Sequence, residues 1–236
     1  ASLPSYENPH AGNRRADVLR LDNNEHTGPL PPSVVTALVS AVEERLNGQS
    51  RVSLYPDDSA ATTAVARYVA RGFAGRGGWQ GCQPDNILIT NGCDQAIDLI
   101  IRAYCDSSTV VVSTKPTFPM YSRYVSSTGA SFEQVAYQGE GTQFSYPASE
   151  LLDRVENLGK SGTRVLVILT NPDPPTGSLV PGSLVKDIRG RNPEALILVD
   201  EAYFEFCPTR SLLPAMQGND DHILFVRSMS KCFGLA

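Results

Sequence analysis

Long apolar runs are missing from this sequence. None approaches the roughly 18 residues that would suggest a membrane span. An excess of basic residues is missing too: 20 Lys and Arg stand against 25 Asp and Glu, for a formal net charge of -5. Charges of both signs are interspersed, and no basic patch offers a footprint for nucleic acid. Cysteine is sparse and unpatterned. Cys82, Cys93, Cys105, Cys207 and Cys232 are odd in number and irregularly spaced, with no Cys-x-x-Cys and no cysteine–histidine cluster. Neither a disulfide framework nor a zinc site is expected, and the plainer reading is small buried thiols. His10, His26 and His222 show no metal-ligand spacing. There is no internal repeat and no low-complexity tract. Ala1-Ser2-Leu3-Pro4 is not the basic start of an apolar leader. These absences lead to the expectation of a cytoplasmic protein that partners neither membrane nor nucleic acid.

What is present is ordinary globular composition, 41% hydrophobic and 19% charged over 236 residues. That is enough chain to bury the core of one large domain or two smaller ones. Residues 1–30 are polar and rich in Pro, Asn and Gly, and read as an extended arm. Residues 31–85 read as helical. Pro31-Pro32-Ser33 opens a helix whose apolar face is Val34, Val35, Leu38, Val39 and Val42, and Asn47-Gly48 ends it. A second helix is predicted over 60–70. From residue 86 onward strands alternate with helices. The apolar runs NILIT, STVVVST, ASFEQVAY, TRVLVILTN, EALILVDEAY and HILFVRS predict strands. NGCDQAIDLIIRAYC, PMYSRYVSSTG, 151–158 and PGSLVKDIRG predict helices. Strands apolar on both faces, alternating with helices, imply an α/β fold with a mostly parallel sheet covered on both sides.

Ligands of such sheets sit at the carboxyl ends of the strands. The special residues of this chain fall there repeatedly: Asn91-Gly92-Cys93-Asp94, Lys115-Pro116-Thr117-Phe118, Asn171 to Gly177, Asp200-Glu201-Ala202-Tyr203 and Arg227 to Lys231. Free backbone N–H groups at Gly92, Cys93 and Asp94, with the Ser228 and Ser230 hydroxyls, suit a phosphate. Taken alone, a plain helix cap is the favoured reading of that stretch. Phe118 can stack on a flat ring or be a core aromatic. Asp200 can pair with a cationic ring nitrogen, cap a helix or join an ion pair. Lys231 can be a Schiff-base nucleophile, although a lone lysine is more often a solvated surface residue. Together, a phosphate cradle, a stacking aromatic, an acidic partner for a pyridinium, a phenol at Tyr203 and this lysine describe one cofactor, pyridoxal 5′-phosphate.

The chain resembles the fold-type I, class I/II aminotransferases, and among them is most similar to histidinol-phosphate aminotransferases. The matching stretches are LDNNEHTGP, LYPDDS, ITNGCDQAIDLIIRAYC, PTFPMY, NPDPPTG, VDEAYFEF and SMSKCFGLA, in the family's order and over nearly the whole chain. The resemblance implies that Lys231 carries the Schiff base and shuttles a proton at the substrate Cα. It implies that Asp200 keeps the pyridine nitrogen protonated and that Tyr203 hydrogen-bonds the ring's phenolic oxygen. Phe118 would stack on the ring, while the backbone around Gly92, Cys93 and Asp94, with Ser228 and Ser230, would bind the phosphate. Tyr55 would reach the phosphate of a neighbouring subunit, which makes the active unit a homodimer. Asn23, Asn24 and Glu25 would line the substrate pocket. The partners implied are a small-molecule amino donor and a keto-acid acceptor.

Two departures from the family pattern stand out. The usual Asn-Pro-Asn-Asn-Pro-Thr-Gly is here Asn171-Pro172-Asp173-Pro174-Pro175-Thr176-Gly177, so Pro174 replaces a side-chain donor to the ring oxygen. The stretch NEHTGP replaces Asn-Glu-Asn-Pro-Tyr-Gly-Pro. Relatives also continue beyond this point. They have an arginine for the cofactor phosphate and a smaller C-terminal domain with an arginine for the substrate carboxylate. The resemblance therefore implies that residues 86–236 are a cofactor-binding large domain incomplete at its C-terminal end. The reading is a transamination of an amino acid or amino-alcohol phosphate. A decarboxylase, lyase or cyclase on the same scaffold is the alternative, and a non-catalytic fragment a second one.

Overall fold

The computed structural model describes residues 24–26, 28–139, 144–215 and 221–235. Its centre is a five-stranded sheet. Strands β3 (Thr109–Lys115), β4 (Ser131–Ala136), β5 (Arg164–Thr170), β6 (Leu196–Asp200) and β7 (Ile223–Val226) lie in the order β4-β3-β5-β6-β7, each parallel to its neighbours. Ahead of the sheet come α1 (Pro32–Glu43), a short antiparallel hairpin of β1 (Arg45–Leu46) and β2 (Gln49–Ser50), and α2 (Ser59–Arg71). Helices α3 (Gly92–Tyr104), α4 (Met120–Ser126), α5 (Ala148–Lys160) and α6 (Leu184–Arg191) supply the cover.

The two faces of the sheet are read off the strand period of two. Val165, Val167 and Leu169 of β5, with Ile197 and Val199 of β6, pack against Leu151, Val155 and Leu158 of α5 and Leu184 and Ile188 of α6. The alternate residues, Leu166 and Ile168 of β5 and Leu196 and Leu198 of β6, pack against Ile97 and Ile101 of α3 and Tyr121 and Val125 of α4. Both faces are dry, as the unbroken apolar runs require. Each fully buried Leu, Ile or Val contributes on the order of 1.5–3 kcal/mol. The helices carry local support of their own. In α3, Asp94 sits in the first turn and Arg102 in the last, matching the helix dipole, and Arg102 Nε lies 2.8 Å from Asp98 one turn back.

Two sequence expectations are corrected. Asn47-Gly48 does not simply end α1; it is the turn between β1 and β2. Both residues have positive φ, 52° and 83°, as a tight two-residue hairpin turn demands, and Asn-Gly is the pair that tolerates it. The predicted strand NILIT does not form. Residues 87–90 are irregular, with Leu88 74% and Ile89 41% exposed. A strand needs a paired neighbour, and none reaches this segment among the described residues. It borders instead a cleft of about 1080 Å³, which it shares with Leu224 and Val226 of the edge strand β7. Helix α1 forms as read, but its apolar stripe is not core: Val35, Leu38, Val39 and Val42 are all exposed among the described residues.

Burial separates the two kinds of apolar residue experimentally. Ile168→Ala, at a fully buried position, is expected to cost about 2–5 kcal/mol in a urea unfolding titration. Val39→Ala on α1, half exposed, is expected to stay within about 0.5 kcal/mol in the isolated chain.

Candidate functional site

The period that sends Leu196 and Leu198 toward α3 and α4 sends Asp200 the same way, at the last residue of β6. The ladder register brings Thr170 of β5 and Val226 of β7 level with it. Asp200 is 5% exposed. Its Oδ2 accepts a 2.6 Å hydrogen bond from the Tyr121 phenol, and its Oδ1 accepts the Ala202 N–H at 3.0 Å. The phenol oxygen of Tyr121 also lies 3.0 Å from Thr170 Oγ1. Burial pushes the Asp200 carboxyl above its usual range, and the bonds from Tyr121 and Ala202 pull it back. Burial and the Asp200 charge together push the Tyr121 phenol up, so it stays a donor. A cation bound against Asp200 would offset the cost of burying its charge.

Opposite Asp200 stands the start of α3. Gly92 has φ +68°, and a Cβ built on it would meet nothing within 4 Å, so the backbone faces open space. No side chain caps the helix. Asp94 stands beside the Tyr124 phenol, which burial first and then the Asp94 charge push up. The helix start is thus available to an anion. The hydroxyls of Ser228 and Ser230 are 2.5 Å apart, and the Ser230 N–H donates to Ser228 Oγ at 3.1 Å.

One cavity of about 180 Å³ is walled by all these groups: Gly92, Cys93 and Asp94, then Phe118, Asp200 and Tyr203, then Ser228, Ser230 and Lys231. Phe118 is held edge-on by Tyr121, with ring centroids 5.5 Å apart. Lys231 Nζ lies 5.6 Å from the centre of the Tyr203 ring. Asn24 Nδ2 donates to the Tyr203 phenol at 2.9 Å, which brings Asn24 to the cavity rim. Glu25 is exposed, and Asn23 lies outside the described residues. Pro174 also lines the cavity, at the position from which no side chain can donate. Burial pushes the Cys93 thiol up, so it is not a thiolate. The combination suits a flat heteroaromatic ring with an anionic group at one end, a cationic nitrogen at the other and an aldehyde within reach of an amine.

Tyr55 is not brought to this cavity. It is fully exposed and lies apart from the residues above. Three contributors went unread in the sequence. Tyr121 and Thr170 support Asp200, and the signal for Tyr121 was its place one helical turn beyond Phe118. The third is Arg227. Its Nη2 lies 2.7 Å from Glu201 Oε2, 3.0 Å from Ser211 Oγ and 3.0 Å from the Gly77 carbonyl, with the guanidinium 3.6 Å above the Phe204 ring. Glu201 is wholly buried, and its other oxygen accepts the Leu212 N–H at 2.7 Å. This pair fixes the backbone immediately before Ser228.

The family model for class I and II aminotransferases matches residues 16–236. A histidinol-phosphate aminotransferase of Thermoanaerobacter sp. (strain X514) is 31% identical over 220 residues, covering 92% of this chain and 55% of its own length. The crystal structure of histidinol-phosphate aminotransferase from Sinorhizobium meliloti in complex with pyridoxal-5′-phosphate is 26% identical, with a TM-score of 0.71, covering 90% of this chain and 52% of that one. Cystalysin from Treponema denticola, at 16% identity and a TM-score of 0.74, covers 97% of this chain and 55% of its own and shares the fold. The chain spans about half the length of the curated relatives it matches.

Tyr121→Phe is expected to cost about 1–3 kcal/mol, since it strips a donor from a buried carboxylate. The sign of its pH dependence follows from Asp200. A carboxyl raised in the folded state contributes stability that is complete at low pH and lost as pH rises through its folded value. Loss of the phenol raises Asp200 further, so the deficit of the variant should grow from acid to neutral pH in urea titrations.

Proposed function

The chain belongs to the class I and II aminotransferase family, and on that premise we propose that it binds pyridoxal 5′-phosphate in the cavity at the carboxyl ends of β5, β6 and β7. The reaction proposed is transamination between an amino acid or amino-alcohol phosphate, of the histidinol-phosphate kind, and a keto acid. The observation that carries this reading is that Lys231, Asp200, Phe118 and the uncapped start of α3 wall one small cavity. When bound, the cofactor supplies an aldehyde for amine exchange and a cationic ring that draws electrons from the substrate Cα. The residues of this chain do the rest. Asp200, braced by Tyr121, holds the ring nitrogen's proton. The N–H groups that open α3, with Ser228 and Ser230, bind phosphate. Phe118 packs on the ring face, and the Tyr203 phenol holds the ring oxygen. Lys231 Nζ is the amine that engages the aldehyde and then takes and returns the proton at Cα. A positioned acid–base of this kind contributes about 10²–10⁴-fold.

The same reading includes a homodimer. Val35, Leu38, Val39 and Val42 form an exposed apolar stripe on α1 that a second copy would cover, and the fully exposed Tyr55 is free to reach a neighbouring subunit's site. It also includes a cytoplasmic location, which the five free cysteines support. Pro174 in the cavity wall favours a second reading, a decarboxylase, lyase or cyclase on this scaffold. Without a side-chain donor there, Tyr203 alone would hold the ring oxygen.

The deciding experiment is the absorbance of the purified protein with added cofactor, before and after borohydride reduction, with Lys231→Ala in parallel. Covalent attachment at Lys231, absent from the variant, is the expected outcome. No attachment in either protein sinks the enzyme reading and leaves a non-catalytic fold. Keto-acid formation from the amino donor then separates transamination from the second reading.

A further inference from the structure

The chain's departure from its family in NPDPPTG places a carboxyl, Asp173, in a fully buried position next to Pro174. Asp173 Oδ2 accepts a 2.5 Å hydrogen bond from the Tyr137 phenol and a 3.1 Å bond from Thr114 Oγ1, and Oδ1 has no partner. The backbone of the same residue closes the loop. Its N–H donates to the Ser178 carbonyl at 2.9 Å, and its carbonyl accepts the Gly177 N–H at 2.7 Å. Thr114 lies on β3. Tyr137 follows β4, donates its own N–H to the Lys115 carbonyl at 2.9 Å, and packs edge-on against Tyr146. One carboxyl therefore ties the loop after β5 to two other strands, and the next residue, Pro174, forms part of the cofactor cavity wall.

We propose that Asp173 is a positioning residue, a latch that holds the 171–178 loop against the cofactor cavity through Tyr137 and Thr114, closed when its carboxyl is protonated and loosened when it ionises. The reason is the bare Oδ1. Protonated, the group buries no net charge. Ionised, it leaves half of an anion buried without a donor, and movement of the loop would expose it to solvent. Burial holds this carboxyl up to about 6; the Tyr137 and Thr114 bonds lower it, and the like charge of Asp200 on β6 raises it. The other titratable groups packed around it are the phenols of Tyr121 on α4 and of Tyr137 and Tyr146 between β4 and α5. Burial pushes all three up, so they stay protonated across this range. With its folded value above its unfolded one, Asp173 favours the closed loop at acid pH, and that preference is lost as pH rises through about 6.

The effect on the cofactor rests on the reading of the cavity as a pyridoxal-phosphate site; the latch itself does not. Two measurements keep them apart, both from pH 5 to 8 on wild type, Asp173→Asn, Asp173→Ala and Tyr137→Phe. The first is the dissociation constant for pyridoxal 5′-phosphate, followed by absorbance. Wild type should weaken about tenfold relative to Asp173→Asn as pH passes 6, since the amide keeps the shape and cannot ionise. Asp173→Ala and Tyr137→Phe should bind more weakly throughout. The second is amide hydrogen exchange of residues 171–178 without cofactor, compared between wild type and Asp173→Asn at each pH. Protection should fall in wild type above pH 6 and hold in Asp173→Asn. Parallel exchange profiles in the two proteins overturn the latch. Cofactor binding that follows the same pH course in both overturns its action on the cavity. A wild type that binds no cofactor while its loop exchange still parts from that of Asp173→Asn overturns the cofactor reading and keeps the latch.

Discussion

The parallel ladder that ends with Thr170, Asp200 and Val226 side by side is the constraint on which the site depends. Parallel pairing forces every strand to run the same way, so every strand's carboxyl end comes out at one edge. The hydrogen bonds continue one step past the strands, from the Asn171 N–H to the Asp200 carbonyl at 2.8 Å and from the Glu201 N–H to the Val226 carbonyl at 2.9 Å. The residues that follow each strand thus start from a common, rigid line. A slip of one residue in β6 would turn Asp200 to the α5 and α6 face and put Val199 in its place.

Placing acids and a base on a dry edge has a cost, and the structure meets it with buried partners. The Tyr121 phenol, itself bonded to Thr170 Oγ1, and the Ala202 N–H hold Asp200. Glu201 and the Gly77 carbonyl hold Arg227, and Tyr137 and Thr114 hold Asp173. A buried pair of this kind adds little net stability compared with apolar packing, but removing one member leaves a desolvated charge behind. These contacts specify geometry more than they add stability. Arg227 shows it plainly: the guanidinium that pairs with Glu201 and lies over Phe204 is one residue before Ser228 and four before Lys231.

Much of this was legible in the chain. The run RVLVILT read as a strand buried on both faces, and Ile97, Ile100, Ile101 and Tyr104 as one face of a helix, because period and apolarity are local properties. Gly92, Asp200 and Lys231 could be placed at strand ends for the same reason. NILIT misled because its apolar residues are those of a strand while the neighbour that would make it one is not among the described residues; strand formation is a pairwise event. Asn47-Gly48 carries a hairpin signal as strong as its helix-stop signal, and the two residues on either side decided between them by pairing.

The sequence by itself determined the class of fold, the edge at which chemistry gathers, and the residue types suited to a phosphorylated pyridine aldehyde. Those follow from backbone period and side-chain chemistry, which travel with each residue. Only the tertiary structure decided which residues support which. That Tyr121 donates to Asp200, 79 positions away, and Tyr137 to Asp173, depends on how α4 and the β4–α5 segment pack on the sheet. Hydrogen bonds between such distant residues have no period to read, and the burial that gives them their strength exists only once the chain has folded.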